Sequence, residues 1–230
     1  MATHEVLVNV RELLSFFDEE AKGSSRHASA IVGVAGEDLG AALLAKYLRS
    51  ENIFAEILAD SCTQGTKTGR RLDRWVFTRA PSGSETLYQV EIKNWSAHAI
   101  GGRKLAISVS PSDLQAYKIE RWSKEWSGTT FRKEQVLKVL TPMKPPRRIA
   151  SPTVEPLVCF WTALHPEGAE SPFFSVPLTE DPHFQRVSVF SMSSYLRSLP
   201  DASITLDMPQ VAIRRDWLTR LFPEEPRAAV

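Results

Sequence analysis

Asp73, Glu91 and Lys93 are the residues of this chain whose types and spacing could do chemistry. Glu91 and Lys93 lie two apart in Thr-Leu-Tyr-Gln-Val-Glu-Ile-Lys-Asn, residues 86–94, a run that reads as a buried strand. Side chains alternate across a strand, so Gln89, Glu91 and Lys93 share one face, and Tyr88, Val90 and Ile92 share the other. A carboxylate and an amine on one face of a core strand are costly to bury unless paired or metal-bound. Asp73 sits upstream in a second strand-like run, residues 71–78. Residues 80–85, Ala-Pro-Ser-Gly-Ser-Glu, join the two runs and suit a hairpin loop. A hairpin symmetric about Ser82 sets Asp73 opposite Glu91, with Cβ atoms roughly 5 Å apart. Carboxylates that close repel unless a cation lies between them. A divalent metal with oxygen ligands at about 2.1 Å meets that need. A slip of one residue would put the two acids on opposite faces.

The elements that must position these residues are also legible. Residues 5–21 carry apolar residues at helical spacing (Val6, Val10, Leu13, Leu14, Phe17), and Gly-Ser-Ser-Arg-His at 23–27 reads as a break. A second helix is expected over 36–50 with the stripe Leu39, Leu43, Leu44 and Tyr47 or Leu48, then a first strand over 53–58. Residues 62–69 form a polar loop. After the hairpin a helix is expected over 112–126, with Ser112 as N-cap, and Pro-Met-Lys-Pro-Pro-Arg-Arg at 142–148 makes a basic connector. The apolar run 156–164 predicts a strand buried on both faces. Strands over 173–178 and 186–190 follow, then a short helix capped by residues 191–194, and a last amphipathic helix over 208–222. Helix, three strands, helix and strand between 36 and 164 indicate an α/β or α+β fold with a mixed sheet flanked by helices.

Composition bounds the rest. The 230 residues are 43% hydrophobic and 24% charged, which suits one domain, 1–230, with a core over about 30–165 and a C-terminal extension over about 166–222. A net charge of +1 leaves nucleic-acid binding to local clusters. Cys62 and Cys159 form no CxxC pair, so neither zinc nor a disulfide framework is expected. The sequence shows no secretory signal and no apolar run of bilayer length, and a cytoplasmic protein is the expectation. Neither a nucleophile elbow nor a phosphate-binding P-loop motif is present.

The acid, then acid-x-Lys arrangement resembles the motif of the PD-(D/E)xK nuclease superfamily. The matching residues are Asp73 in Arg-Arg-Leu-Asp-Arg-Trp and Glu91 and Lys93 in Gln-Val-Glu-Ile-Lys-Asn-Trp, with Leu72 where the family's proline would stand. Glu37, in Gly-Glu-Asp-Leu-Gly-Ala-Ala-Leu-Leu, matches a glutamate that many members carry on the preceding helix; Asp38 is the adjacent alternative. The resemblance implies a restriction-endonuclease-like αβββαβ core. It also implies Mg²⁺ or Mn²⁺ held by Asp73, Glu91 and the Ile92 backbone carbonyl, and activating water. Lys93 would position that water and stabilise developing charge. Glu37 would orient a bound water or help hold a second ion. The implied activity is phosphodiester hydrolysis in DNA, as an endonuclease of a prokaryotic anti-phage defence or DNA repair system. RNA stays open as the polymer. A partner protein supplying recognition, and a homodimer through the last helix, are further expectations.

Cations gather around these acids. Lys67, Arg70, Arg71 and Arg74 surround Asp73; Arg103 and Lys104 follow a Gly-Gly that lets backbone approach a phosphate; Lys118, Arg121 and Lys124 share a helix face. Gln89 is a candidate phosphate contact, Trp75 and Trp95 are candidates for base stacking, and His98 lies just past the strand. The plainer reading makes Asp73, Arg71, Arg74, Glu91 and Lys93 cross-strand ion pairs worth at most about 1 kcal/mol. It also lets the helix dipole account for Glu37. On that reading the chain is a non-catalytic module that grips nucleic acid or protein.

Overall fold

The computed structural model describes residues 4–17, 25–58, 72–93, 138–147, 149, 153–161, 171–177 and 183–221. The chain opens with β1 (Glu5–Asn9) and α1 (Val10–Ser15), then a long helix α2 (Ser25–Ser50). Next come β2 (Phe54–Leu58), β3 (Arg74–Arg79) and β4 (Glu85–Lys93), followed by a 3-10 turn at Lys138–Leu140. β5 (Thr153–Phe160), β6 (Phe173–Pro177), β7 (Arg186–Ser191), α3 (Met192–Ser198), β8 (Ser203–Asp207) and α4 (Pro209–Leu221) complete it.

Six strands form one mixed sheet in the order β2-β3-β4-β5-β7-β6, and β1 and β8 form a separate antiparallel pair. β2-β3-β4 is an antiparallel meander; β5 lies parallel to both β4 and β7. The hairpin register pairs Arg74 with Val90 and Arg79 with Glu85, which is symmetric about Ser82 as expected. Gly83 adopts φ 85°, a left-handed conformation glycine takes at no steric cost, and its N–H bonds to the Ala80 carbonyl at 2.9 Å. The fold is thus a mixed α/β one. The helix expected over 112–126 lies outside the described residues.

Each sheet face has its own core. α2 lays Leu39, Leu43, Leu44 and Leu48 with Ala41, Ala42 and Ala45 against Val76, Val90, Ile92, Leu157 and Cys159. Trp75, Phe77, Leu87, Val158 and Phe160 face the other way, where Val139, Leu140, Met143 and Ile149 cover them. Fully buried leucines such as Leu43, Leu44 and Leu157 each contribute about 1.5–3 kcal/mol. β5 is buried on both faces, as its unbroken apolar run required.

Two expectations give way. Residues 5–9 are not helical: β1 packs the half-buried Val6 and Val8 against the core on one side and pairs with β8, whose residues lie some two hundred positions further along the chain. Val6 and Val10 satisfy both periods, so the local pattern is ambiguous, and β8 is a strand that the pattern of 203–207 did not lead us to expect. The second helix starts at Ser25 and not at residue 36. Its interior Gly33 and Gly36 each cost about 1 kcal/mol against alanine, which weakens a helix without ending it. The helix ends at Asn52, in the left-handed conformation at φ 60°, with the Ile53 N–H returning to the Leu48 carbonyl at 2.9 Å. Ser191 stands at the N-cap of α3 without a side-chain cap bond; its hydroxyl meets Ser194 at 2.9 Å. Among the described residues no helix is long and apolar enough to cross a membrane.

At Gly40 α2 approaches β4 closely. A Cβ there would stand 2.7 Å from Ile92 Cγ2 and 3.4 Å from Met192 Sδ. Gly40→Ala gains helix propensity but forces a β-branched side chain to move. A net destabilisation of about 1–2 kcal/mol is expected in urea unfolding. Unchanged stability would show that α2 can retreat from the sheet at no cost.

Candidate metal centre at the end of the hairpin

β3 stops at Arg74 while β4 runs on to Lys93, so the hairpin ends unevenly. Asp73 occupies the bend just before β3. It stands at the next step of the register from Glu91, without being paired to it. Its carboxylate does something the sequence did not announce: Oδ2 accepts a hydrogen bond from the Ile92 N–H at 2.7 Å. That N–H faces the β3 side and would have met the carbonyl of residue 72 had the ladder continued. Asp73 therefore caps the last rung.

The same bond orients a second oxygen. N–H and C=O of one strand residue point to the same edge. The Ile92 carbonyl thus also faces the β3 side, beside the Asp73 carboxylate. Glu91, one residue earlier, is only 3% exposed. In that low-dielectric setting any cation beside it interacts more strongly than it would in water. Among the described residues no three His, Cys, Asp or Glu side chains gather as a metal-binding group. The implied donor set, two carboxylates and one backbone carbonyl, depends on the Ile92 main chain. Asp73 and Ile92 are brought together as that set requires. Lys93 continues β4, with its backbone in register with Phe160.

Cys159, in register with Ile92, reports the charge at this point. Burial pushes its thiol pKa well up, and the negative Asp73 adds to the shift. Cys159 is a neutral core residue, unsuited to act as a thiolate ligand or nucleophile.

Glu37 is placed differently from the expectation. Arg74 takes it up: Arg74 Nη1 donates to Glu37 Oε2 at 2.8 Å and to the Asp73 backbone carbonyl at 2.6 Å. Arg74 Nη2 donates to Asp38 Oδ1 at 3.3 Å. α2 packs on the Ile92 side of the sheet, opposite the face that carries Gln89 and Glu91, and Glu37 remains 45% exposed there. Arg74 ties it to the hairpin end in this geometry. Asp38, 7% exposed, serves the C-terminal helix as well, since its Oδ2 accepts from the Gln210 and Val211 N–H groups at 2.7 and 3.1 Å. It caps the first turn of α4 from another helix, supplying what an N-cap side chain would.

Gln89 is a further correction. It is fully buried, and its amide holds the 138–143 segment, donating to the Val139 and Thr141 carbonyls and accepting from the Met143 N–H at 3.1 Å. No phosphate can reach it. Trp75, 2% exposed, is likewise core and not a stacking surface. Lys67, Arg70, Arg71, Arg103 and Lys104 lie outside the described residues, as do Trp95, His98 and the Lys118 set. Sequence reasoning missed Arg74 as a hub; the signal was the arginine that directly follows the acid, with two consecutive acids, Glu37 and Asp38, on a buried helix.

Asp73→Asn keeps an oxygen for the Ile92 N–H, whereas Asp73→Ala removes it. The alanine variant is expected to unfold about 1.5–3 kcal/mol more easily and the asparagine variant much less so, as read by chemical denaturation. Asp38→Ala strips Arg74 of a buried partner and α4 of its cap. A loss of about 3 kcal/mol is expected, with amide exchange accelerated first at Gln210 and Val211. Equal stability of this variant and the parent would show that α4 is anchored elsewhere. Comparison with known protein families, curated proteins and solved structures returns no match, so this geometry is what a functional reading has to stand on.

Proposed function

We propose that the chain is a divalent-metal-dependent nuclease that hydrolyses phosphodiester bonds in DNA, on a restriction-endonuclease-like core. The observation that carries the reading is the Asp73–Ile92 hydrogen bond, because it sets a carboxylate beside a backbone carbonyl one residue from the buried Glu91. Mg²⁺ or Mn²⁺ held by Asp73, Glu91 and the Ile92 carbonyl would lower the pKa of water and neutralise phosphate charge. Arg74 fixes the Asp73 main chain, and α2 packed on Ile92 fixes the carbonyl's height. Lys93 brings an ammonium two residues after Glu91, to face the charge that develops on the phosphate oxygens. The cations at 67, 70, 71, 103 and 104 would hold the polymer backbone. A cytoplasmic setting and a partner protein that directs the enzyme belong to the same proposal.

One observation favours the rival, a binding module on the same fold: the Asp73 carboxylate already serves the sheet as a ladder cap. Supercoiled plasmid separates the two. With Mg²⁺ or Mn²⁺ the protein is expected to nick it, and with chelator it is not. Lys93→Ala and Glu91→Gln should each slow nicking by at least about a hundredfold. Plasmid binding without nicking under either metal would favour the rival. Nicking unchanged in both variants would move the chemistry elsewhere in the chain.

A further inference from the structure

Two strand edges face one another across a cleft in this fold, and nothing in the nuclease reading uses them. The cleft encloses about 540 Å³ between β2 and β8, over α2. Buried Ala42, Ala45 and Leu206 line it, and Lys46, Glu56 and Asp207 stand at its polar rim.

The hydrogen-bonding direction of each edge follows from the bonds its neighbours make. The Ala202 carbonyl and the Met208 N–H both bond toward β1, to Val10 and His4. Backbone direction alternates along a strand, so Thr205 and Asp207 point their N–H and C=O groups away from β1. Both residues line the cleft. On the β2 side, the residues in register with Trp75, Phe77 and Arg79 face β3, which turns Ala55 and Ile57 outward. The Arg49 guanidinium confirms this, since it reaches the Ala55 carbonyl from outside at 2.7 Å. An arginine laid on an edge carbonyl blocks strand addition there, a device sheets use against unwanted pairing. β8 has β1 on one side and the cleft on the other.

We propose that the outward edge of β8 binds an extended peptide segment of a partner protein by strand addition, with Arg49 guarding β2 against the same event. The occupant is defined by what lines the cleft. Strand-edge N–H and C=O groups select extended main chain, the half-buried apolar residues Ile57 and Leu199 accept one face of it, and Lys46, Glu56 and Asp207 admit polar side chains on the other. A folded domain would not fit between two edges, and a nucleic acid would meet the carboxylates of Glu56 and Asp207.

The test uses a phage-displayed library of random linear peptides selected against the full chain, with the enriched peptide then made synthetically. Residue-resolved amide exchange by NMR should show Thr205 and Asp207 exchanging fast in the free protein and slowly with peptide bound. Thr205→Pro removes only an outward N–H and leaves the β1 pairing intact, so the variant should stay folded by circular dichroism. It should weaken the peptide by about tenfold or more, the equivalent of one good hydrogen bond. If Thr205→Pro unfolds the chain, the exchange pattern alone decides. No enriched binder, a peptide that protects neither amide, or amides already protected in the free protein would each overturn the proposal. None of these results depends on whether the chain cuts DNA.

Discussion

The guanidinium of Arg74 is the contact on which the geometry of this fold converges. One side chain, 11% exposed, reaches Glu37, Asp38 and the carbonyl of Asp73. Asp38 passes the connection on to the first turn of α4. The start of β3, the middle of α2 and the C-terminal helix are therefore held by a single charged group. Arginine suits this post because its planar fork offers several donors in fixed directions, where a lysine would offer a point charge on a flexible stem. Its burial also means that the interaction resists screening by salt.

Around that contact the sheet divides its labour. The α2 face is apolar and tight enough to require Gly40 opposite Ile92. The opposite face carries the polar alternation of β4, and the buried amide of Gln89 fastens the 138–143 segment over it. A buried amide with each of its groups engaged specifies one arrangement of covering backbone, which an apolar residue of the same size would not. The hairpin end lies where the two faces meet, and there Asp73 finishes a ladder that β3 leaves short.

Much of this was readable from the chain because the information is local. The turn composition of 80–85 pointed to a hairpin, and the register assumed for it, symmetric about Ser82, is the one that pairs Arg74 to Arg79 with β4. Strands β2 to β7 lie within a few residues of their expected places, and the alternation of β4 sorted Gln89 and Glu91 from Val90 and Ile92. What stayed hidden depended on partners distant in sequence. Residues 5–9 form a strand only because 203–207 lie alongside. Asp38 and Gln89 sit in patterns that suggest surface chemistry, and their structural roles come from backbone N–H groups more than fifty residues away. Glu37 illustrates the same limit: its position on the helix is evident from the chain, and its partner across the sheet is not.

The pairing of Glu5 with Asp207 closes nearly the whole chain into one loop. Closing so long a loop adds little to the equilibrium cost, because that entropy grows only with the logarithm of length. Its consequence lies in the order of assembly. The β3–β4 hairpin can zip as soon as its turn forms, β4–β5 must wait for a long crossover, and β1 can find β8 only once Asp207 has been made. During synthesis β1 leaves the ribosome well before its partner β8, its Leu7 side chain still 73% exposed even in the finished fold. Strand β1 is thus made long before its partner and is among the last of these elements to be locked, and the α2–sheet core has to stand before it docks.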